Sequence, residues 1–159
     1  MLKEFYPYEY KDSVFDIDFQ ALYDKGYRGL IFDIDNTLVP HGANSTDKVD
    51  ELFEKLNAMG FRSLMLSNNS EKRIQRFLKN IDALYIHEAG KPDPRACYRA
   101  VKMLGMPKNK VVVIGDQVFT DMLCANRAGL ACILVKFVGH ETETKLGKRR
   151  RVEQGIMWT

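Results

Sequence analysis

From Gly29 to Val135 the chain repeats one pattern, a short apolar run followed by a longer amphipathic stretch and then another apolar run. Runs this short and this apolar suit strands buried on both faces, and parallel strands need crossover links of the length that separates them. The runs are Gly29 to Ile34, Arg62 to Leu66, Ala83 to Ile86, Val111 to Ile114 and Cys132 to Val135. The helical links are Thr46 to Met59, Glu71 to Leu78, Pro94 to Leu104 and Thr120 to Arg127, and Gly60, Gly105 and Gly129 follow three of them as left-handed C-terminal caps would. The pattern therefore predicts an α/β fold, a doubly wound three-layer sandwich around a central parallel five-stranded sheet. In such a sheet ligands bind beyond the carboxyl ends of the strands, so functional residues are expected just after each run.

Polar residues do cluster at those ends. Asp33-Ile34-Asp35-Asn36-Thr37 closes the first run. Strand alternation puts the two carboxylates on one side, where their mutual repulsion calls for a cation. Ser67 and Asn68 follow the second run with hydroxyl and amide donors and lead into a helix start, whose unpaired N–H groups suit an anion such as phosphate. Lys91 follows the third run in a Lys-Pro-Asp-Pro segment expected to be stiff and extended. The fourth run opens into Gly115-Asp116, with Asp121 five positions on. Carboxylates from two strand ends make an oxygen-rich pocket of the kind Mg²⁺ prefers. A carboxylate approaching a phosphate dianion to about 4 Å would meet roughly 8 kcal/mol of repulsion at an effective dielectric of about 20. A metal ion and Lys91 are the groups able to cancel it.

The remaining composition bounds the setting. A length of 159 residues, 45% apolar and 28% charged, fits one soluble domain over 1–159, with 1–27 as an aromatic, proline-containing lead-in and 140–159 as a basic tail. Ile17 to Lys25 could form a short helix with Asp16 or Asp18 near its N-terminus. The net charge of +3 is too small to imply nucleic-acid binding, although Lys148 to Arg151 form a concentrated basic run. Three cysteines without a CxxC pair fit reduced core thiols and a cytoplasmic location. No stretch has the length and apolarity of a membrane span, so membrane contact is expected to be peripheral only. Asn69 and Ser70 are expected to cap the next helix, and His41, His87 and His140 to lie on loops or surfaces outside the site.

Taken together, DxDxT at Asp33, Asp35 and Thr37, then Ser67, Lys91, and GDxxxTD from Gly115 to Asp121 resemble the four motifs of the haloacid dehalogenase (HAD) superfamily, over most of the chain. The resemblance implies a Mg²⁺-dependent phosphatase. In it Asp33 is the nucleophile that forms an aspartyl-phosphate, and Asp35 is the acid and then base, lending its backbone carbonyl to the metal. Ser67, Asn68 and Lys91 bind the substrate, Asp33, Asp35 and Asp116 hold the metal, and Thr37 and Asp121 support the site. Only 34 positions separate Asp33 from Ser67 and 24 separate Ser67 from Lys91, too few for an inserted cap domain. An open site in this superfamily implies a bulky phosphomonoester or a homo-oligomer. IFDIDNTLVP, GDQVFTDMLCANRAG and the early DIDF resemble the bacterial relatives of mitochondrial-type phosphatidylglycerophosphate phosphatases, which implies a phospholipid substrate and peripheral contact through the basic tail. Two other readings use the same fold, a phosphoaspartate switch and a non-catalytic binding module. The first is disfavoured because receiver domains place the acceptor after the third strand, and the second because the motif set is intact.

Overall fold

The computed structural model describes residues 9–136 and Val138. Its centre is one parallel sheet in the order β1-β6-β5-β2-β3-β4, formed by β1 (Glu9–Lys11), β2 (Gly29–Phe32), β3 (Arg62–Leu66), β4 (Leu84–Ile86), β5 (Val111–Gly115) and β6 (Ala131–Val135). The chain winds outward from β2 through β3 to β4, then returns across the sheet to β5 and β6. The strand order therefore reverses between β2 and β5, which pair directly with Phe32 opposite Ile114.

Alternation along the strands builds two cores. Leu30, Phe32, Val112 and Ile114 face one layer, made of α1 (Phe19–Asp24), α2 (Asp47–Met59) and α3 (Glu71–Phe77). Ile31, Leu64, Val111 and Val113 face the other, made of α4 (Pro94–Leu104) and α5 (Leu123–Ala128). Burial on both faces is why these strands read as continuous apolar runs rather than alternating ones. In the first core the Phe32 and Phe53 rings meet edge to face with centroids 4.9 Å apart, both fully buried.

Helix ends follow local chemistry. Thr46 caps α2 by accepting from the Val49 N–H, Ser70 caps α3 from Arg73, and Asp93 caps α4 with Pro94 at its first turn. The residues closing α2, α4 and α5 are Gly60, Gly105 and Gly129 with φ of 103°, 71° and 75°, as expected from the sequence. Asp18 caps the short α1 in the lead-in, accepting from the Ala21 N–H at 2.9 Å.

Three expectations are corrected. The sheet has six strands, not five, because Glu9–Lys11 of the lead-in pairs in parallel with Ile133–Val135 of β6. Three residues are too few to display a period-two pattern, and the strand lies outside the apolar repeat. The segment after Lys91 is not extended: Asp93 donates to the Gly90 carbonyl at 3.0 Å, closing a tight turn in which the Lys91–Pro92 peptide is cis. Finally, Thr120 lies inside a π-helical turn, Val118–Met122, that precedes α5. The aromatic start before Glu9, His140 and the basic run Lys148 to Arg151 lie outside the described residues.

Candidate active site

Asp33 and Asp116 are the first residues past Phe32 of β2 and Gly115 of β5, so the reversal of strand order sets them side by side. The turn after β2 is wound tightly: Leu38 and Thr37 donate their N–H groups to the Ile34 carbonyl at 2.9 and 3.2 Å, and Asn36 takes a φ of 63°. That winding brings the Thr37 side chain back beneath the pair. Its hydroxyl lies 3.0 Å from Asp116 Oδ1 and 3.3 Å from Asp33 Oδ2.

Asp121 comes in from the π-helical turn. Its Oδ2 accepts from the N–H groups of Asp116 and Gln117, both at 3.2 Å, which fixes the turn leaving β5. Gly115 is what admits it, since a Cβ there would lie 2.5 Å from Asp121 Cγ. Carboxylate oxygens of Asp33, Asp116 and Asp121 lie within 4.8 Å of one another.

Lys91 neutralises part of this cluster. Its ammonium, with only 5% of the side chain exposed, lies 2.6 Å from Asp121 Oδ1 and 3.1 Å from Asp33 Oδ1. Burial alone would lower the lysine pKa, but the two carboxylates outweigh it and the net shift is upward, so Lys91 stays charged. Burial and the nearby Asp33 charge push Asp121 up to about 6, against the opposing pull of Lys91. Asn68 holds the lysine's main chain from both sides, accepting from the Lys91 N–H at 2.9 Å and donating to its carbonyl at 3.2 Å. Its amide is thus spent on positioning Lys91. Ser67 is buried, and its Oγ accepts from the Asn69 N–H at 3.1 Å.

Asp35 faces elsewhere. Its carboxylate accepts from Arg73 Nη2 at 2.8 Å, from the Gly42 N–H at 2.7 Å and from the Asn69 side-chain amide. Burial would raise its pKa, yet the Arg73 and Gly42 hydrogen bonds and the Arg73 charge hold it below the usual carboxylate value. The carboxylate cluster thus comprises Asp33, Asp116 and Asp121, with the Asp35 side chain turned to the rim.

Asp33, Asp35, Ser67, Asn68 and Lys91 all line one cleft of about 150 Å³ at the carboxyl edge of the sheet. His41, expected outside the site, also lines it, with Nδ1 4.0 Å from Asp35 Oδ1. It is carried there by the tight turn after β2, which a linear spacing rule does not register. His87 instead faces Glu71 and Glu88. Ser70 does cap α3, but the Asn69 side chain goes to Asp35. Arg73 was not anticipated either. Asn69 lies just ahead of the Ser70 cap, outside the helix, so no helical periodicity pairs it with Arg73 in the sequence.

Known proteins carry the same frame. The HAD-hydrolase-like family matches residues 88–153. A probable phosphatase of Bacillus subtilis, YqeG, is 36% identical over 99% of this chain and 92% of its own length. The chloroplastic/mitochondrial phosphatidylglycerophosphate phosphatase 1 of Arabidopsis thaliana is 22% identical over 89% of this chain, which spans only 44% of that protein. Among solved structures, the cobalt-bound deoxy-D-mannose-octulosonate 8-phosphate phosphatase of Haemophilus influenzae superposes with a TM-score of 0.55 at 18% identity, covering 82% of this chain and 84% of that one, a likeness of fold. An end-to-end relative at more than a third identity, on a sheet whose switch point gathers the acidic turn, leads to one conclusion: the chain belongs to the HAD-like hydrolases.

Proposed function

We propose that this protein is a Mg²⁺-dependent phosphomonoesterase that works through an aspartyl-phosphate on Asp33, with no cap domain over its cleft. The observation that carries the reading is the convergence of Asp33, Asp116, Asp121 and Lys91 at the β2–β5 switch point, beside an open cleft. The donor set fits the metal, being made of carboxylate oxygens without sulfur or nitrogen ligands, the preference of a hard cation. Asp33 and Asp116 would hold it together with the main-chain carbonyl of Asp35, while Asp121, already bonded to Lys91 and two N–H groups, braces them. When bound, the ion supplies positive charge where the phosphoryl oxygens gather.

The chain's own groups supply the rest. An Asp33 oxygen attacks phosphorus as the ester P–O bond breaks, and a proton from Asp35 goes to the departing oxygen. Water then attacks the same phosphorus, Asp35 takes the water's proton, and Asp33 leaves as a carboxylate. In the structure described, Asp35 is an ionised group held by Arg73, Asn69 and Gly42, so it must take up a proton and loosen at least one of these bonds to act. The Ser67 hydroxyl and the Lys91 ammonium orient the phosphoryl oxygens, and Thr37 braces the site through the contacts of its hydroxyl with Asp116 and Asp33.

Between β2 and β3, and between β3 and β4, the chain holds little beyond α2 and α3, which supports the capless reading and a bulky substrate. The similarity to a plant phosphatidylglycerophosphate phosphatase supports a phospholipid phosphomonoester, reached by peripheral contact of the basic tail with an anionic surface. The test is hydrolysis of p-nitrophenyl phosphate with Mg²⁺ and with chelator, beside Asp33→Asn. Activity that survives chelation, or survives Asp33→Asn, overturns the mechanism. Vesicles containing phosphatidylglycerophosphate, set against soluble sugar and nucleotide phosphates, test the substrate; equal rates on both remove the lipid reading. Light scattering on the same samples tests whether the open cleft is covered by a second copy.

A further inference from the structure

Behind the cleft floor two thiols meet. Cys97 on α4 and Cys124 on α5 are both fully buried, and their sulfurs are 3.0 Å apart. That is about 1 Å more than a disulfide bond length. They join two helices that follow the segments carrying Lys91 and Asp121: Cys97 lies six residues after Lys91, and Cys124 three after Asp121. Cys124 Sγ also reaches the Asp93 carbonyl at 3.3 Å, in the turn that presents Lys91. The third cysteine, Cys132, sits on β6 and faces Asn126 Oδ1 at 3.7 Å.

We propose that Cys97 and Cys124 form a reversible disulfide that ties the Lys91 segment to the Asp121 segment. The proton distribution favours it, because the Cys97 contact and the Lys91 charge lower the Cys124 pKa despite burial, leaving Cys124 as the sulfur that reacts first. The oxidant is a small peroxide. The Cys124 thiolate attacks one peroxide oxygen and the O–O bond breaks. The departing hydroxide takes up a proton as water, and Cys124 is left as a sulfenic acid. Cys97, giving up its proton, then attacks that sulfur and displaces a second water. Two thiols and one peroxide thus yield one disulfide and two waters, and a dithiol reductant reverses the change.

The proposal does not require the phosphatase reading, and its test is independent of turnover. The folded protein is treated with hydrogen peroxide, alkylated after unfolding, and digested without reductant. Before alkylation the protein is expected to be about 2 Da lighter, and the digest to hold a Cys97–Cys124 linked peptide with Cys132 unlinked; dithiothreitol restores the mass and removes the link. Cys132→Ser keeps the linked peptide, and Cys97→Ser and Cys124→Ser abolish it. Amide exchange across Lys91 to Cys97 and Asp121 to Ala125 slows on oxidation and recovers on reduction. Recovery of both thiols unlinked, their conversion to sulfinic or sulfonic acid without a linked peptide, or a link made to Cys132 overturns the pair. Unchanged exchange in protein that carries the link overturns the coupling to the two site segments.

Discussion

Breaking the Arg73–Asp35 pair tests whether that contact holds the rim of the cleft. Both side chains are 10% exposed and 2.8 Å apart. At that distance the Coulomb attraction is about 6 kcal/mol with an effective dielectric of about 20, before desolvation of both groups is subtracted. Arg73 Nε and Nη1 have no protein partner among the described residues, so the guanidinium draws its compensation from the Nη2 contact and from the Phe77 ring, 5.8 Å away. Removing one partner of a well-buried pair costs roughly 3–5 kcal/mol, and the open cleft beside Asp35 admits water that reduces this. Arg73→Met, which keeps the stem over Phe77, is therefore expected to lose about 2–3 kcal/mol in urea unfolding with an unchanged m value. Asp35→Ala should lose less, because Arg73 retains its stacking. The double variant should be close to Arg73→Met alone, giving a coupling energy of about 2 kcal/mol. If the two losses simply add, the pair is a surface contact and its role in fixing Asp35 is refuted.

Gly115→Ala would place a Cβ 2.5 Å from Asp121 Cγ, forcing the carboxylate off the Asp116 and Gln117 N–H groups. A loss of about 2 kcal/mol and at least a tenfold fall in kcat, measured by urea unfolding and steady-state kinetics, is expected. Phe53→Ala empties the fully buried ring slot against Phe32 and should cost about 3–5 kcal/mol without changing KM in any folded fraction. Asp35→Asn should leave substrate binding intact while phosphoenzyme formation and its hydrolysis slow, each followed by single-turnover kinetics. An unaltered rate in that variant removes Asp35 as the proton carrier.

The sequence exposes what repeats and hides what depends on a turn. Strands buried on two faces announce themselves as apolar runs, and three C-terminal glycines mark helix ends because only a left-handed residue closes them well. The residues at the strand ends were therefore legible, since the switch-point rule converts position after a run into position in the cleft. What lies one turn further was not. His41, Asn69 and Arg73 reach Asp35 only because the Ile34–Val39 turn folds back toward α3; the helix start at Glu71 was readable, but that turn has no periodic signature. The edge strand Glu9–Lys11 owes its conformation to β6, more than a hundred residues away, so no local pattern could reveal it.

The charge balance of the cluster explains why a divalent ion belongs in the argument at all. Three carboxylates against the single ammonium of Lys91 leave two negative charges in a largely buried space. Burial and then the Asp33 charge push Asp121 up to about 6 from its usual 3.8, so a proton is the group that can offset this charge when no cation is held. A raised carboxylate pKa stabilises the fold fully below the unfolded value and loses that contribution as pH rises through the folded one. In chelator, Tm should therefore fall between about pH 4 and about pH 7 more steeply than in Mg²⁺, where the cation takes the place of the proton. The gap between the two melting curves should widen as pH rises. Curves that superimpose across that range would mean that the three carboxylates are balanced without a metal, and the proposed attack of Asp33 on a phosphate dianion would then have only Lys91 to offset the repulsion.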